Sequence, residues 1–405
     1  MSQGIIVVGA GPAGVATAYL LAERGLPVTL IEQETAFDRV FRGEGLMPSG
    51  AQALEQMGLG DLLHQIPVRR LDAWDFVIER QRRMRVVEPW HRSQPPTHII
   101  HQSALLAAIA KRAQTFKAFQ FCPGWRVREL LRQGDQVRGV VAEQCGQSRK
   151  FLGDLVIAAD GRYSRLRQQA GLTLQTSPTQ FDVLWFKLPA PPALLCETAF
   201  TVCLQRQRQY AFYPSWDGRL QIGWIVEKGQ APRQRDRDWA EEFALAAPPA
   251  LAAHFRHQRS QLEGPIFLDV IVGCVPQWSA PGLLLVGDAA HPMAPNRAQG
   301  INMAFRDAIA IANHLVPWWQ AGHRMPDLTA VLTAFQAARL PEIQAVQALQ
   351  LEEWEKIGLI TASPLIYQPF TLLAKALGRL GIIELAWLWQ QRGLRHGIST
   401  VRLQV

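Results

Sequence analysis

The first apolar run is unbroken: Ile5, Ile6, Val7 and Val8 stand together with no polar residue between them. A short run of this kind suits a parallel strand covered on both faces. Gly9-Ala10-Gly11-Pro12-Ala13-Gly14 follows at once, then an apolar stretch with helical spacing to Arg24, closed by Gly25. Residues 27–31 read as a second strand that ends on Glu32, with Gln33 beside it. Strand, glycine turn, helix and strand within about 30 residues make a complete βαβ unit. Two later runs also end on an acid. Residues 155–159 lead into Asp160-Gly161, where Ser164 fits a helix N-cap. Residues 283–286 lead into Gly287-Asp288, a Pro/Asn/Gly-rich loop, and a helical pattern from about Ile301.

Between these units the period changes. Residues 71–91 alternate and predict a β-hairpin leaving the first domain. Residues 98–101 form a short strand, and Gln102 and Ser103 open a helix that runs to about Ala113. From about Thr173 to Val275, Pro and Gly separate β-rich segments at 182–188, 199–204, 210–213, 220–226 and 265–272, with one helix at 239–246. Trp185, Phe186, Phe200, Phe212, Tyr213, Trp216 and Trp224 fall in this region. Any one of them is more often core than contact surface, but as a set they favour a sheet with an apolar pocket. Beyond Ile301 the pattern is helical to the end, without internal repeats.

Composition narrows this picture modestly. The 405 residues are 48% hydrophobic and 19% charged, an ordinary globular balance with room for two or three packed regions. The net charge of +8 comes from scattered basic residues, so a solvated surface is expected and no nucleic-acid partner. Five cysteines show neither CxxC nor metal-ligand spacing, which predicts reduced thiols in a cytoplasmic protein and no metal site. Gly4 to Gly9 already reads as the first strand, so no signal peptide is expected before it. Residues 357–389 are apolar, carry Trp387 and Trp389, and have basic flanks. They read as a packing helix pair or, second, as an interfacial anchor on the inner face of a membrane.

The chemistry follows from residue types. Gly9 permits a tight turn, Gly11 lets the backbone approach a pyrophosphate, and Gly14 lets the helix pack on the strand. Glu32 stands where a carboxylate can accept ribose hydroxyls. The motif alone does not separate NAD from FAD. Phe41 to Gly50 is a glycine-rich loop in which Arg42 and Glu44 form either a loop ion pair or, through Arg42, a contact to phosphate or flavin. The loop after Asp288 ends at a helix start, whose free N–H groups and positive dipole end suit an anionic edge. His291 is read as a loop residue, not a general base.

These motifs, in this order, resemble the group A flavoprotein monooxygenases, the aromatic hydroxylases related to para-hydroxybenzoate hydroxylase. The resemblance covers most of residues 1–335. It implies an α/β fold: a Rossmann-type FAD-binding domain (residues 1–70, 99–172 and 276–335), an inserted β-rich substrate domain (71–98 and 173–275) and a C-terminal helical region (336–405). It implies FAD held by Gly9, Gly11, Pro12, Ala13, Gly14, Glu32, Gln33, Arg42, Gln102, Asp160, Gly161, Gly287, Asp288, Gly300, Ile301 and Asn302. Asp288 would take the ribityl hydroxyls, and Gly300 to Asn302 the flavin N1–C2=O edge. Pro295 would lie beside the flavin face where oxygen reacts. NAD(P)H would reduce FAD, and a C4a-hydroperoxide would hydroxylate a small aromatic, quinone-like or lipophilic substrate. Family members usually have Gly where this chain has Arg297, so Arg297 is expected within reach of the flavin pocket, where it could meet an anionic substrate group. A halogenase or isoprenoid reductase on the same scaffold, a non-catalytic FAD-binding scaffold and a homodimer remain open. The nearest stretch to the halogenase's Trp-x-Trp-x-Ile-Pro is Gly223-Trp224-Ile225-Val226, which does not match it.

Overall fold

A computed structural model describes residues 4–38, 43–89, 95–179, 181–206, 208–231, 237–322, 325–377 and 382–405. Ile5–Val8 lies inside a six-stranded sheet, parallel to Leu155–Ala158 on one side and to Val28–Glu32 on the other. Leu283–Leu285 joins next to Leu155–Ala158, Phe119–Pro123 next to Val28–Glu32, and the short Ser279–Ala280 closes one edge antiparallel. The four residues of Ile5–Val8 are buried, as an unbroken apolar run requires between helix layers. Helix Pro12–Glu23 packs on the sheet and against the long helix Gln299–Gln320.

Parallel pairing brings three chain turns to one edge. Ala159 N–H donates to Val8 C=O (2.8 Å), and Val286 N–H to Ala158 C=O (3.0 Å). The loops after Val8, Ala158 and Leu285 therefore emerge together, beyond the carboxyl ends of their strands, where open α/β sheets bind ligands.

A seven-stranded sheet forms the second layer. Its order is Glu263–Leu268, Phe181–Pro189, Arg219–Glu227, Arg208–Pro214, Ala199–Gln205, Ala73–Ile78 and Gln81–Val87. Period-2 alternation splits its aromatic residues between two faces. Phe186, Tyr210, Phe212 and Trp224 pack with Phe243 of helix Trp239–Ala246 and Phe255 of helix Pro249–His257. Phe181, Trp185, Phe200 and Tyr213 turn the other way, into a cavity.

Four details differ from the sequence reading. Helix Pro249–His257 was not anticipated, because only Ala252 and Phe255 of it are buried and the apolar signal is thin. Nor was the antiparallel sheet Arg126–Gln133, Gln136–Gln144, Gln147–Leu152, whose outer strands are mostly exposed and polar. A single helix, Met325–Ala362, runs across position 335–336, where a boundary was drawn. Residues 397–405 are not helical; they lie along the first domain, with Leu403 N–H on Gln56 Oε1 and Gln404 N–H on Asn313 Oδ1 (both 2.9 Å).

The C-terminal helices are tied inward. Tyr367 of Pro364–Leu377 donates to Glu79 (2.7 Å), and Trp387 and Leu388 of Ile382–His396 pack against Trp74. Arg395 pairs with the buried Glu88, which also accepts from Trp74 Nε1 (2.8 Å) and Thr97 Oγ1 (3.1 Å). Their outer side exposes Leu365, Leu372, Leu385 and Trp389. Among the described residues no helix is long and apolar enough to cross a membrane.

A buried charge network underlies the Gly287-Asp288 loop. Arg339 bridges Asp307 (2.8 Å) and Glu342, Glu342 holds Arg306, and His291 Nε2 sits 3.0 Å from Asp307. Burial would raise the Asp307 carboxyl, but His291 and Arg339 outweigh it and keep it below its ordinary value. Removing one cation from such a set leaves carboxylates stranded. Arg339→Met is therefore expected to cost about 3–5 kcal/mol. Chemical denaturation checks this; a loss under about 1 kcal/mol, the scale of a surface pair, would mean the network is dispensable.

Candidate active site

Two glycines of the first turn are fixed by close approach. Gly9 has φ +100°, and a Cβ on it would meet Ala159 O at 2.4 Å. A Cβ on Gly14 would fall 1.9 Å from Gly9 O. Gly11 differs: no protein atom lies within 4 Å of its would-be Cβ, so the backbone there faces open space at the helix start. Pro12 and Ala13 begin that helix, and Pro at this position wastes no hydrogen bond. Glu32, at the end of its strand, reaches back to this turn, accepting from Ala10 N–H (2.6 Å) and Glu34 N–H (3.0 Å). Gln33 is exposed beside it.

The Asp160-Gly161 turn is built differently. Asp160 accepts from Ser164 Oγ and from Leu166 N–H (3.1 Å), so its carboxylate holds the start of helix Arg165–Gln169. Burial pushes this carboxyl up. Gly161, at φ +85°, again faces open space. Arg167 lies in this short helix. Buried, it donates to Ala289 O (2.9 Å) and Arg162 O (3.0 Å) and so bolts this turn to the Gly287-Asp288 turn.

Gly287 packs on the first helix: a Cβ there would lie 2.8 Å from the Ala13 Cβ. The half-buried Asp288 carboxylate is 3.8 Å from Arg162 Nη2. Burial raises its pKa, while Arg162 and His291 pull it back. Helix Gln299–Gln320 starts two residues earlier than its apolar pattern indicated. Gly300 faces the Asp288 carboxylate at 4.0 Å. Gly300, Ile301 and Asn302 lie in the first turn, whose N–H groups have no intrahelical partner. The Asn302 side chain accepts from Met47 N–H (2.9 Å) and donates to Ala298 O (2.6 Å), clamping this helix to the Gly43–Met47 segment. Gln102 is buried at the start of helix Gln102–Ala113. Arg42 lies outside the described residues.

These parts fit an extended dinucleotide cofactor. Gly11 and Gly161 open onto space, the Glu32 and Asp288 carboxylates flank that edge, and a helix N-terminus closes it. Among the described residues no group of His, Cys, Asp or Glu could hold a metal.

Beyond the helix start lies a cavity of about 170 Å³, walled by the seven-stranded sheet, the Gly43–Met47 segment, Pro295 to Ala298 and helix Met325–Ala362. Its lining is chiefly aromatic and aliphatic. Trp354 closes one side, 4.1 Å ring to ring from Phe181.

Arg297 turns into this region. Its guanidinium stands 4.9 Å from the Trp74 ring and 5.1 Å from the Trp387 ring. It pairs with Glu353 (Nε to Oε1 3.0 Å), which also accepts from Asn296 (3.2 Å) and Gln391 (3.3 Å). Glu353 takes up the cation's charge, which weakens its pull on an anionic substrate. Sequence reasoning missed Glu353 and Trp387 because they stand 56 and 90 positions away. The backbone explains the glycine preference at this position: Arg297 and Ala298 are both left-handed, at φ +59° and +51°. An L-residue there costs about 1–2 kcal/mol, and the cage around Arg297 offsets it.

His291 was expected to bond the loop backbone. Its own N–H does, to Gly287 O (2.9 Å), but the ring faces Asp307 and belongs to the charge network. A loop ion pair with Arg42, which lies outside the described residues, was one of two readings of Glu44; the described partners of Glu44 are Ser215 and Lys187, far along the chain.

The FAD binding domain family model matches residues 3–347. The chain is 33% identical over 371 residues to a 6-methylpretetramide 4-monooxygenase of Streptomyces rimosus, covering 89% of this chain and 86% of that one. It is 27% identical to a kynurenine 3-monooxygenase of Salinispora arenicola, covering 87% and 80%. The structure of p-nitrophenol 4-monooxygenase from Pseudomonas putida superposes with a TM-score of 0.76 at 18% identity, over 98% of this chain and 99% of that one.

Proposed function

We propose, from the premise that this chain belongs to the FAD binding domain family and is an FAD-dependent, NAD(P)H-consuming aromatic monooxygenase, that its substrate is a multi-ring phenol. The observation that carries this reading is the cavity lining, where Phe181, Trp185, Phe200, Tyr213 and Trp354 set several flat aromatic faces around one mainly apolar space. The relative at 33% identity acts, by its name, on 6-methylpretetramide.

Bound FAD supplies the chemistry: it accepts hydride from NAD(P)H and passes one atom of dioxygen to the substrate ring. The protein's residues do the rest. Glu32 and the Gly9 to Gly14 turn would hold the adenosine and pyrophosphate end, and Asp288 the ribityl chain. The first-turn amides of Gly300, Ile301 and Asn302 stabilise negative charge on the flavin edge through their dipoles. Phe181, Trp185, Phe200 and Tyr213 present a wall on which flat rings stack, and they exclude water. Pro295 shapes the passage between the two regions, and Arg297 with Glu353 stiffens one wall of it.

The test is a substrate panel. Purified holoenzyme is expected to consume NADH or NADPH faster with hydroxylated three- and four-ring aromatics than with one-ring phenols, and to yield a product heavier by one oxygen atom. The label should come from dioxygen, not water. Preference for one-ring acids would overturn the multi-ring reading.

A further inference from the structure

Glu44 is a carboxyl on the cavity wall whose nearest described cation, Lys187, stands 3.9 Å away and lies closer to Asp217. Its side chain is buried at 4% exposure. One oxygen, Oε1, accepts from Ser215 Oγ at 2.9 Å. The other, Oε2, is buried with no hydrogen-bond partner among the described residues. A carboxylate oxygen in that position is costly unless something donates to it. The remaining lining carboxyl, Glu353, is saturated by Arg297, Asn296 and Gln391. Tyr210, also on the lining, gives its hydroxyl to Phe243 O (2.8 Å), and burial holds that phenol well above its ordinary range.

Behind Glu44 runs a polar path to solvent. Lys187 Nζ is 3.9 Å from Glu44 Oε1 and 2.6 Å from Asp217, whose side chain is 23% exposed. Trp216 covers this path: its ring lies 5.4 Å from Lys187 Nζ and stacks on His101 at 3.8 Å. Arg69 fixes the turn by donating to Ser215 O (2.8 Å). The charged and titratable groups around Glu44 are thus Lys187, Asp217, His101 and Arg69, on four separate segments.

We propose that Glu44 is the proton acceptor for the substrate's phenol, and that Lys187 and Asp217 form the polar, solvent-facing side of its surroundings. This rests on the reading of the substrate as a phenol. The step balances simply. The substrate O–H bond breaks, its electron pair stays on the phenolate oxygen, and the proton forms the new O–H bond on the Glu44 carboxylate. No oxidation occurs in it. The phenolate is the better nucleophile toward an electrophilic oxygen, so proton removal prepares the ring for attack. Burial supports the assignment: it pushes the Glu44 carboxyl up to about 7, with Lys187 and the Ser215 hydrogen bond opposing the rise. A base with such a pKa is matched to work near neutrality.

Two measurements on the FAD-loaded enzyme test this. The first is the infrared carboxyl band of substrate-free protein against pH, in wild type and Glu44→Gln. A band that titrates near pH 7 and is absent from E44Q is expected; a Glu44 that stays ionised to pH 5 overturns the inference, whatever the substrate. The second uses 2-naphthol and a four-ring phenol as probes and reads phenolate absorbance of the bound probe. Wild type is expected to bind phenolate at a pH well below the probe's own pKa. E44Q should bind neutral phenol, lose the acidic limb of the kcat/KM profile, and hydroxylate about 100-fold more slowly, within the usual range for a lost general base. Lys187→Met should shift that limb upward, because the cation that favours ionised Glu44 is gone. An E44Q profile that keeps the wild-type limb overturns the proposal even though hydroxylation itself proceeds. A wild type that hydroxylates no phenol but binds it as phenolate leaves Glu44 its role and overturns the substrate reading alone.

Discussion

Gly14→Ala is expected to yield a protein that neither holds FAD nor oxidises NAD(P)H. The added Cβ would sit 1.9 Å from Gly9 O, well inside contact distance. Gly9 cannot move aside, because its N–H is bonded to Ile31 O (2.8 Å) and its own face touches Ala159 O. The strain must open the turn or lift helix Pro12–Glu23 off the sheet. Gly11→Ala separates this from cofactor binding. Its methyl meets no protein atom within 4 Å, so the apoprotein should melt like wild type. The same methyl stands where a pyrophosphate would come closest, so FAD affinity should fall at least about tenfold, or about 1.4 kcal/mol. Flavin absorbance after desalting and melting of the apoproteins decide both. A Gly11→Ala protein that retains FAD like wild type would place the pyrophosphate elsewhere.

The second large effect is expected at Arg297. Arg297→Met leaves Glu353 half-enclosed beside the cavity with no cation, and both side chains are largely buried, at 8% and 14% exposure. Breaking such a pair costs about 3–5 kcal/mol. Arg297→Met combined with Glu353→Met should regain most of it, since the neutral pair leaves no stranded charge. Arg297→Gly adds a further comparison. It loses the same contacts but relieves the left-handed backbone, so it should be about 1 kcal/mol more stable than Arg297→Met. In all three variants the Trp74–Trp387 wall loses its spacer. Product formed per NAD(P)H consumed should therefore drop while flavin reduction proceeds. Full coupling in Arg297→Met would mean the cage plays no part in holding substrate against the flavin.

What could be read in advance was whatever leaves a local trace. The βαβ unit announced itself because a buried strand needs four apolar residues in a row and a pyrophosphate turn needs glycine at set intervals. Three strand ends with acids or glycines were legible for the same reason. The faces of Phe181–Pro189 were implicit in alternation, though which face met a ligand was not. Illegible were pairings that depend on distance in the chain. Glu44 meets Lys187, Arg297 meets Glu353, and Arg395 meets Glu88 only after folding, and no periodicity encodes such partners. His291 shows the same limit: its neighbours in sequence suggested a loop role, while its ring belongs to Asp307.

The long reach of those pairings has a consequence for synthesis. Chains leave the ribosome at about 5–20 residues per second, and domains condense as their parts emerge. Here the parallel sheet lacks Leu283–Leu285, and Glu88 waits 307 positions for Arg395. Glu342 receives Ile398 and Ser399 N–H groups from the final stretch. The nascent βαβ unit therefore stands with one flank of its sheet uncovered until these later segments emerge. Flavin capture waits for them, and loss of residues 395–405 should behave as a folding lesion, although it touches no proposed flavin contact.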